Sequence, residues 1–314
     1  MLSEATGVVT EGVVEMEGAE MVAAAGVAVA AAAGEETREV QLSKPGVGLS
    51  YRPTWRADIL AAPRGLDCIE IIAEHYLGCP REKLDELDRL CEAFQVIHHG
   101  LGLSLGTDAP LDDTYLRLVR QLVDRVRPRF YTEHLAFTGV PGLSMGHLAP
   151  LPFTREAVEV VCRNVERWRE AIGLPLLLEN IAYLVPWPGE LTEAQLIAEV
   201  LDRADCELLL DLHNVYANAT NHRYDPIEFL ASLPLRRVRE IHLAGGHEDG
   251  RYRIDSHAGP VPDAVWELLR WVAPRVPVDA LIVEWDLNLP PFEVISGEVQ
   301  KAWRILKGEG NVAL

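Results

Sequence analysis

The sequence predicts an α/β fold of the (β/α)8 TIM-barrel type, a single barrel domain behind a low-complexity tail. Three observations carry this. From Val47 onward, short runs rich in Val, Ile and Leu alternate with longer charged segments of helical spacing. That is the texture of strands buried on both faces and the helices covering them. Eight such runs occur, the number a closed barrel requires. No glycine-rich phosphate loop follows any of them, which favours a closed barrel over a doubly wound open sheet.

The first 45 residues come before this pattern. They are rich in Ala, Gly, Val and Glu and hold no basic residue before Arg38. The apolar run Met21–Ala33 is only about two-thirds of the length a membrane span needs. Glu4, Glu11, Glu15, Glu17 and Glu20 stand upstream of it, where a signal peptide would carry Lys or Arg. Residues 1–45 therefore read as an acidic, Ala-rich tail, and 46–314 as the barrel domain.

The strands are expected at Val47–Ser50, Cys68–Ala73, Gln95–His98, Phe130–His134, Leu176–Glu179, Glu207–Leu212, Val238–Leu243 and Leu281–Trp285. Between them, helices are expected at Arg81–Phe94, Asp112–Val126, Arg155–Ile172, Thr192–Arg203, Val261–Val272 and Glu293–Ile305. Asp112-Asp113 and Thr154 are suited to cap two of these helices. Pro128, Pro175 and Pro234 lie in connections, where each ends one element before the next strand.

Composition narrows the function. A formal charge of −19 argues against a nucleic-acid partner, since phosphate binding needs clustered Lys and Arg. The cysteines, Cys68, Cys79, Cys91, Cys162 and Cys206, are odd in number and form no Cys-x-x-Cys pair. A disulfide framework and a zinc knuckle are both disfavoured, and a reducing cytosol is the expected location, with no membrane association.

A barrel demands polar functional residues at the C-terminal ends of its strands. They are there. His98-His99 end the third run, Glu133-His134 the fourth and Glu179-Asn180 the fifth; Asp211, His213 and Asn214 end the sixth. His242 ends the seventh, Glu284 and Asp286 the eighth, and Asp255-x-His257 follows the seventh. Singly, each is as well explained as a helix cap or a hydrogen-bonded core residue. Together they put several carboxylates in one enclosed mouth, where they repel unless cations neutralise them. Imidazoles beside carboxylates make a mixed N/O set suited to iron, manganese or zinc, and more than four candidates point to more than one metal.

Ordered blocks extend this. They include Gly46-Val-Gly-Leu-Ser-Tyr-Arg, Ile69-Glu-Ile-Ile-Ala-Glu-His-Tyr, His99-Gly-Leu-Gly-Leu-Ser-Leu-Gly and Thr132-Glu-His-Leu-Ala-Phe. Further on come Pro150-Leu-Pro-Phe-Thr, Leu177-Leu-Glu-Asn, Leu210-Asp-Leu-His-Asn-Val-Tyr-Ala-Asn, Ile241-His-Leu-Ala-Gly, Ile254-Asp-Ser-His and Val283-Glu-Trp-Asp. In this order they resemble the multinuclear non-haem iron-dependent oxidative enzymes, once a domain-of-unknown-function family and related to methanobactin-forming and other peptide-cysteine-modifying oxidases. The resemblance covers Gly46 to about Leu306.

The resemblance implies a barrel holding two or three irons of mixed Fe(II)/Fe(III) valence. Glu179 and Glu284 would bridge or flank an iron pair, Asp211 and His242 would complete one iron, and His99 would help hold another. Asp255 and His257 would bind an outer third. Glu179, Asp211 and Glu284 are the implied catalytic residues. Two positions depart from the family. Ile72 stands where relatives carry a ligand His, with His75 three residues on; Asn214 stands where some relatives carry a His. His75 and Asn214 are therefore candidate ligands as well. His134 and His222 are expected to line the pocket, and His147 and His247 to be surface residues.

The implied reaction is dioxygen-dependent oxidation of a residue, typically cysteine, in a ribosomally made precursor peptide. The substrate thiolate would be bound to the iron centre, and a small partner protein would capture the leader. Two other readings stand beside it: a metal-dependent sugar isomerase or phosphodiesterase on the same kind of barrel, and a non-catalytic peptide-binding barrel.

Overall fold

A computed structural model describes residues 46–61 and 65–308. The tail expected over 1–45 lies outside the described residues. Eight parallel strands close into a barrel: β1 (Gly46–Ser50), β2 (Cys68–Ile72), β3 (Gln95–Gly100), β4 (Tyr131–His134), β7 (Leu176–Glu179), β8 (Glu207–Asp211), β9 (Val238–Leu243) and β12 (Ala280–Val283). Each strand pairs with the next in this order, and β12 pairs with β1. Every strand and helix expected from the sequence is present, with ends displaced by two residues or fewer, the ordinary uncertainty of element boundaries.

The covering helices are amphipathic for visible reasons. In α3 (Asp113–Val126), Leu116, Val119, Leu122 and Val123 are buried, one stripe at helical spacing. Asp112 caps α3 by accepting from Thr114 N and Tyr115 N, and Thr154 caps α4 (Arg155–Ile172) by accepting from Ala157 N. Also present are α1 (Arg56–Ala61), α2 (Arg81–Ala93), α5 (Glu193–Arg203), α6 (Leu212–His222), α7 (Pro226–Ser232), α8 (Asp263–Val272) and α9 (Phe292–Leu306).

Helices α1, α6 and α7 were not expected. Helix α6 starts directly from the end of β8 with no loop between them. Its Asn, Thr and His content hides a helical pattern, because part of its buried face is polar: His213, Asn214 and Asn218 are all buried. Two antiparallel hairpins were likewise absent from the sequence reading. They are β5 (Phe137–Val140) with β6 (Leu143–Ala149), and β10 (His247–Asp249) with β11 (Tyr252–Ile254). Both sit in connections at the C-terminal face of the barrel.

The strand register sorts the inward side chains into two layers. Cys68, Ile97, Phe130, Leu177, Leu209, Ala280 and Ile282 form their own buried apolar cluster, which plugs the barrel toward the strand N-termini. Two residues further along the same faces stand Glu70, His99, Glu179, Asp211 and Glu284, and His242 stands two residues after the fully buried Glu240. His134 lies beside Glu179 in the register, and Asp211 beside His242. Period-two alternation along a strand thus converts the apolar floor into a polar mouth within one step.

Candidate metal centre

Four groups of ligand atoms converge in this mouth, each with its atoms within 4.8 Å of one another: Glu70, His99 and His242; His99, His134 and Glu179; Glu179, Asp211 and His242; Asp211, His257 and Glu284. The groups share members. His99, Glu179, Asp211 and His242 each belong to two, so the four form one continuous array rather than separate sites.

Of the residues expected from the sequence, the structure brings His99, Glu179, Asp211, His242, His257 and Glu284 into these groups. Asp255 borders them: its Oδ1 is 2.8 Å from His257 Nε2 and 3.7 Å from His213 Nε2. Asn214 is buried in the first turn of α6. Its amide donates to the Asn180 carbonyl, and its Oδ1 has no hydrogen-bond partner. His75 is different. It is exposed on the 3-10 turn after β2 and enters none of the four groups.

Two members differ from the sequence reading. Glu70 was not a candidate, yet its Oε2 lies 3.1 Å from His242 Nε2 and 3.9 Å from His99 Nδ1. It stands two residues before Ile72, on the same strand face, so β2 presents a carboxylate to the array although Ile72 has no ligand atom. The signal was available, since a Glu within a run of Ile must find a partner or a cation. His134, expected only to line the pocket, places Nε2 3.2 Å from Glu179 Oε2. His213 is fully buried with both ring nitrogens unpartnered. His222 bonds the Tyr183 carbonyl outside the array. His147 and His247 are exposed.

The electrostatics test whether these residues suit a cation. Among the described residues, the ion-pair partners of Glu70, Glu179, Asp255 and Glu284 are histidines alone. Burial pushes Glu179 up to about 7 despite the pull of His134 and His242. Burial, with Glu179 and Asp255 nearby, holds Asp211 well above the carboxylate range. For Glu284 burial acts upward too, but His242 and His257 hold it well below. Burial acts downward on His242, yet Glu284 and Glu70 raise it well above the imidazole range.

Hydrogen bonding supplies the decisive geometry. Glu70 Oε1, Glu179 Oε2, Asp211 Oδ2, His242 Nδ1, Asp255 Oδ1 and both ring nitrogens of His257 are buried without a hydrogen-bond partner. His257 Nε2 and Asp255 Oδ1 are close but not aligned as donor and acceptor. Buried polar atoms are almost always paired. Several converging oxygen and nitrogen atoms thus have no hydrogen-bond partner, a donor set that fits a cation with the N/O preference of iron, manganese or zinc.

Surrounding contacts fix the array. Asp211 caps α6, its Oδ1 accepting from Asn214 N at 2.6 Å, which leaves Oδ2 directed into the mouth. Thr132 Oγ1 lies 2.7 Å from His99 Nδ1, which turns Nε2 toward Glu179. His257 has φ +46°, a left-handed conformation costly for a non-glycine residue. Its carbonyl accepts from Asp286 N at 2.8 Å, and Asp286 Oδ2 lies 3.3 Å from His257 Nδ1. Asp286 also pairs with Arg52. The strain is thus held by the loop after β12.

Comparison with known proteins gives this geometry a context. Residues 46–307 match the family described as RiPP precursor modification enzyme MbnB/TglH/ChrH, where RiPP denotes a ribosomally synthesised and post-translationally modified peptide. A UPF0276 protein of Acaryochloris marina is 38% identical over 258 residues, covering 82% of this chain and 93% of its own. One from Vibrio vulnificus is 40% identical over 248 residues, covering 77% and 85%. Among solved structures, endonuclease IV from Thermus thermophilus is similar at TM-score 0.53 and 17% identity, covering 85% of this chain and 100% of its own. A xylose isomerase domain containing protein from Salmonella typhimurium reaches TM-score 0.55 at 10% identity, covering 83% and 97%. These two likenesses show the barrel fold.

Proposed function

The chain belongs to the RiPP precursor modification enzyme MbnB/TglH/ChrH family, and from that premise we propose that its barrel domain, 46–314, is an iron- and dioxygen-dependent oxidase acting on a cysteine of a precursor peptide. The observation that carries the reading is the continuous array of unpartnered buried nitrogen and oxygen ligands across four adjoining groups. Among the described residues, no cysteine enters any of the four groups. A thiolate at this centre would come from the substrate.

In this proposal His99, Glu179, Asp211, His242, Asp255, His257 and Glu284 hold two or three ions, with Glu70 and His134 added on geometry. Glu179 belongs to two groups and can bridge; Asp211 joins the inner groups to the one containing His257 and Glu284. Asn214 Oδ1 is a weak carbonyl donor in reserve, and the exposed His75 is left out. Bound iron would supply Lewis acidity toward a thiolate and activation of dioxygen. The chain's own residues orient the ligands, and a mainly apolar cluster packs beneath them. Asp255, whose side chain is 25% exposed, stands at the entrance, where burial raises its pKa but His257 and His213 draw it below the ordinary value.

The proposal also includes a separate small leader-binding protein, because the described residues are taken up by the barrel, its helices and two short hairpins. It places the reaction in the cytosol, consistent with five free cysteines. Among the described residues, no helix is long and apolar enough to cross a membrane.

The test is an aerobic incubation of iron-loaded protein with a cysteine-containing precursor peptide. An oxidative change in peptide mass is expected; an unchanged mass with full iron occupancy would sink the proposal. Sulfur-to-iron charge-transfer absorption on adding the peptide separates it from Lewis-acid chemistry on a sugar or phosphate ester. Fewer than about one iron per chain after reconstitution would favour a barrel that only binds.

A further inference from the structure

A second cavity, of about 740 Å³, lies outside the barrel, bounded by the β7–α5 loop, the first turn of α5, the end of α6 and α7. Two aromatic pairs wall it. Phe153 and Tyr183 meet edge-on with centroids 6.0 Å apart; Tyr224 and Phe229 lie 5.5 Å apart at 38°. The Tyr183 ring also stacks on His222 at 4.9 Å. Glu193 and Glu228 supply acid, and no Lys or Arg lines the cavity.

The ordinary explanation of acids here is that they begin helices, and for Asp225 it suffices. Asp225 caps α7, its Oδ1 accepting from Ile227 N at 2.7 Å. It does not suffice for Glu193. Its Oε2 accepts from Tyr183 Oη at 2.6 Å rather than from the backbone, and burial pushes its carboxyl up to about 7. Nearby, Tyr224 Oη is buried with no hydrogen-bond partner. Aromatic faces, a half-buried carboxylate and an unpaired hydroxyl form the complement of a planar cation, which stacks on the rings while its N–H groups meet the oxygens.

We propose that this cavity receives the guanidinium of an arginine on the peptide substrate, away from the residue being modified. The choice of a peptide rests on the functional reading above. The two sites share one loop: Glu179 ends β7 in the metal array, Asn180 bonds the Asp211 backbone, and Tyr183 forms the cavity wall four positions after Glu179. Leu184, Val185 and Trp187 are exposed on the same loop, next to Tyr183 in sequence, an apolar surface that a peptide chain can cover. An extended peptide could place a cysteine in the mouth and an arginine here.

The test uses the full chain and two small probes, N-acetyl-arginine amide and its neutral isostere N-acetyl-citrulline amide, titrated by ligand-detected NMR. The arginine probe is expected to bind saturably, and the citrulline probe about tenfold more weakly, the scale of one charge-assisted hydrogen bond. Glu193→Gln should weaken the arginine probe by a similar factor. Tyr224→Phe should weaken it by roughly threefold, and it leaves the Tyr183–Glu193 bond intact should the first variant fold poorly. Equal binding of the two probes, or unchanged binding in a folded variant, would overturn the proposal. No metal or turnover is needed for these titrations. Probe binding without peptide oxidation would therefore count against the oxidase reading alone, and peptide oxidation without probe binding against the cavity alone.

Discussion

Glu133 and Glu179 lie on neighbouring strands, are 1% and 2% exposed, and have opposite surroundings. Glu133 faces the helices. Its Oε1 accepts from His134 N at 2.9 Å and its Oε2 from Leu103 N at 3.0 Å, and a Cβ at Gly100 would come within 2.8 Å of Oε2. Glu179 faces the barrel axis, and its Oε2 has no hydrogen bond, only the ring nitrogens of His134 and His99 at 3.2 and 3.5 Å. Burial alone does not separate structural acids from functional ones; the donors around each oxygen do. Fixed backbone N–H groups satisfy a carboxylate with a structural role, whereas Glu179 meets only histidine ring nitrogens, a setting that can hold a cation.

The largest expected effect tests that distinction directly. Glu179→Gln should lower iron retained after reconstitution and reduce peptide oxidation by more than about 100-fold, beyond the loss usual for a residue that merely supports a ligand. Glu133→Gln should retain its iron. Equal loss of iron from both variants would erase the distinction.

In metal-free protein the order should reverse. Glu133→Gln leaves one of two backbone donors without an acceptor, a cost of about 1–3 kcal/mol. Glu179→Gln removes a carboxyl that burial disfavours in its charged form, so it should be neutral or stabilising. Urea unfolding of the two metal-free variants measures this. A clear loss of stability in Glu179→Gln would mean that the carboxylate holds the barrel together.

Much of the molecule is legible in its sequence. Strand and helix positions follow from periodicity, because a strand such as Leu208–Leu210 must be apolar on both faces. His99, Glu179, Asp211, His242 and Glu284 are legible as a group because strand ends converge in any barrel, and His257 joins them from the loop after β11. Glu70 was overlooked because it lies one pleat below the strand end, inside an apolar run, where position says little and register decides. Helix α6 was overlooked because its buried face carries His213, Asn214 and Asn218. Asp211 shows the limit from the other side: one oxygen caps α6, and the other has no hydrogen-bond partner and lies in two of the four groups, so the cap and the candidate ligand are one residue.

Glu193 sharpens the comparison as an intermediate case, with one hydroxyl donor, from Tyr183, and no backbone donor. Its carboxyl is raised from 4.5 to about 7. The folded state therefore holds its proton over a pH range in which the unfolded chain has released it, and folding stability must fall as pH rises through that range. Wild type and Glu193→Gln should be similarly stable below pH of about 4.5, where both side chains are neutral. Wild type should then lose about 1–2 kcal/mol relative to the variant by pH of about 7, with no further divergence above it, after allowance for partial solvation. Parallel stability curves across the window would show that Glu193 ionises without cost.

The smallest expected effect concerns the candidate that the structure leaves outside the array. His75 shares the β2 region with Glu70, but the 3-10 turn after β2 carries it outward to solvent while Glu70 points to the axis. Its partial burial and the nearby Lys83 and Arg52 lower its pKa, which keeps the ring neutral yet brings no second ligand to it. His75→Ala should therefore leave iron content unchanged and alter oxidation by less than about threefold, within the range of ordinary surface substitutions. Glu70→Gln, by contrast, should lose iron, because its carboxylate lies between His242 and His99. If His75→Ala lost iron and Glu70→Gln kept it, β2 would contribute through its turn, and the inward register would not be what selects the ligands.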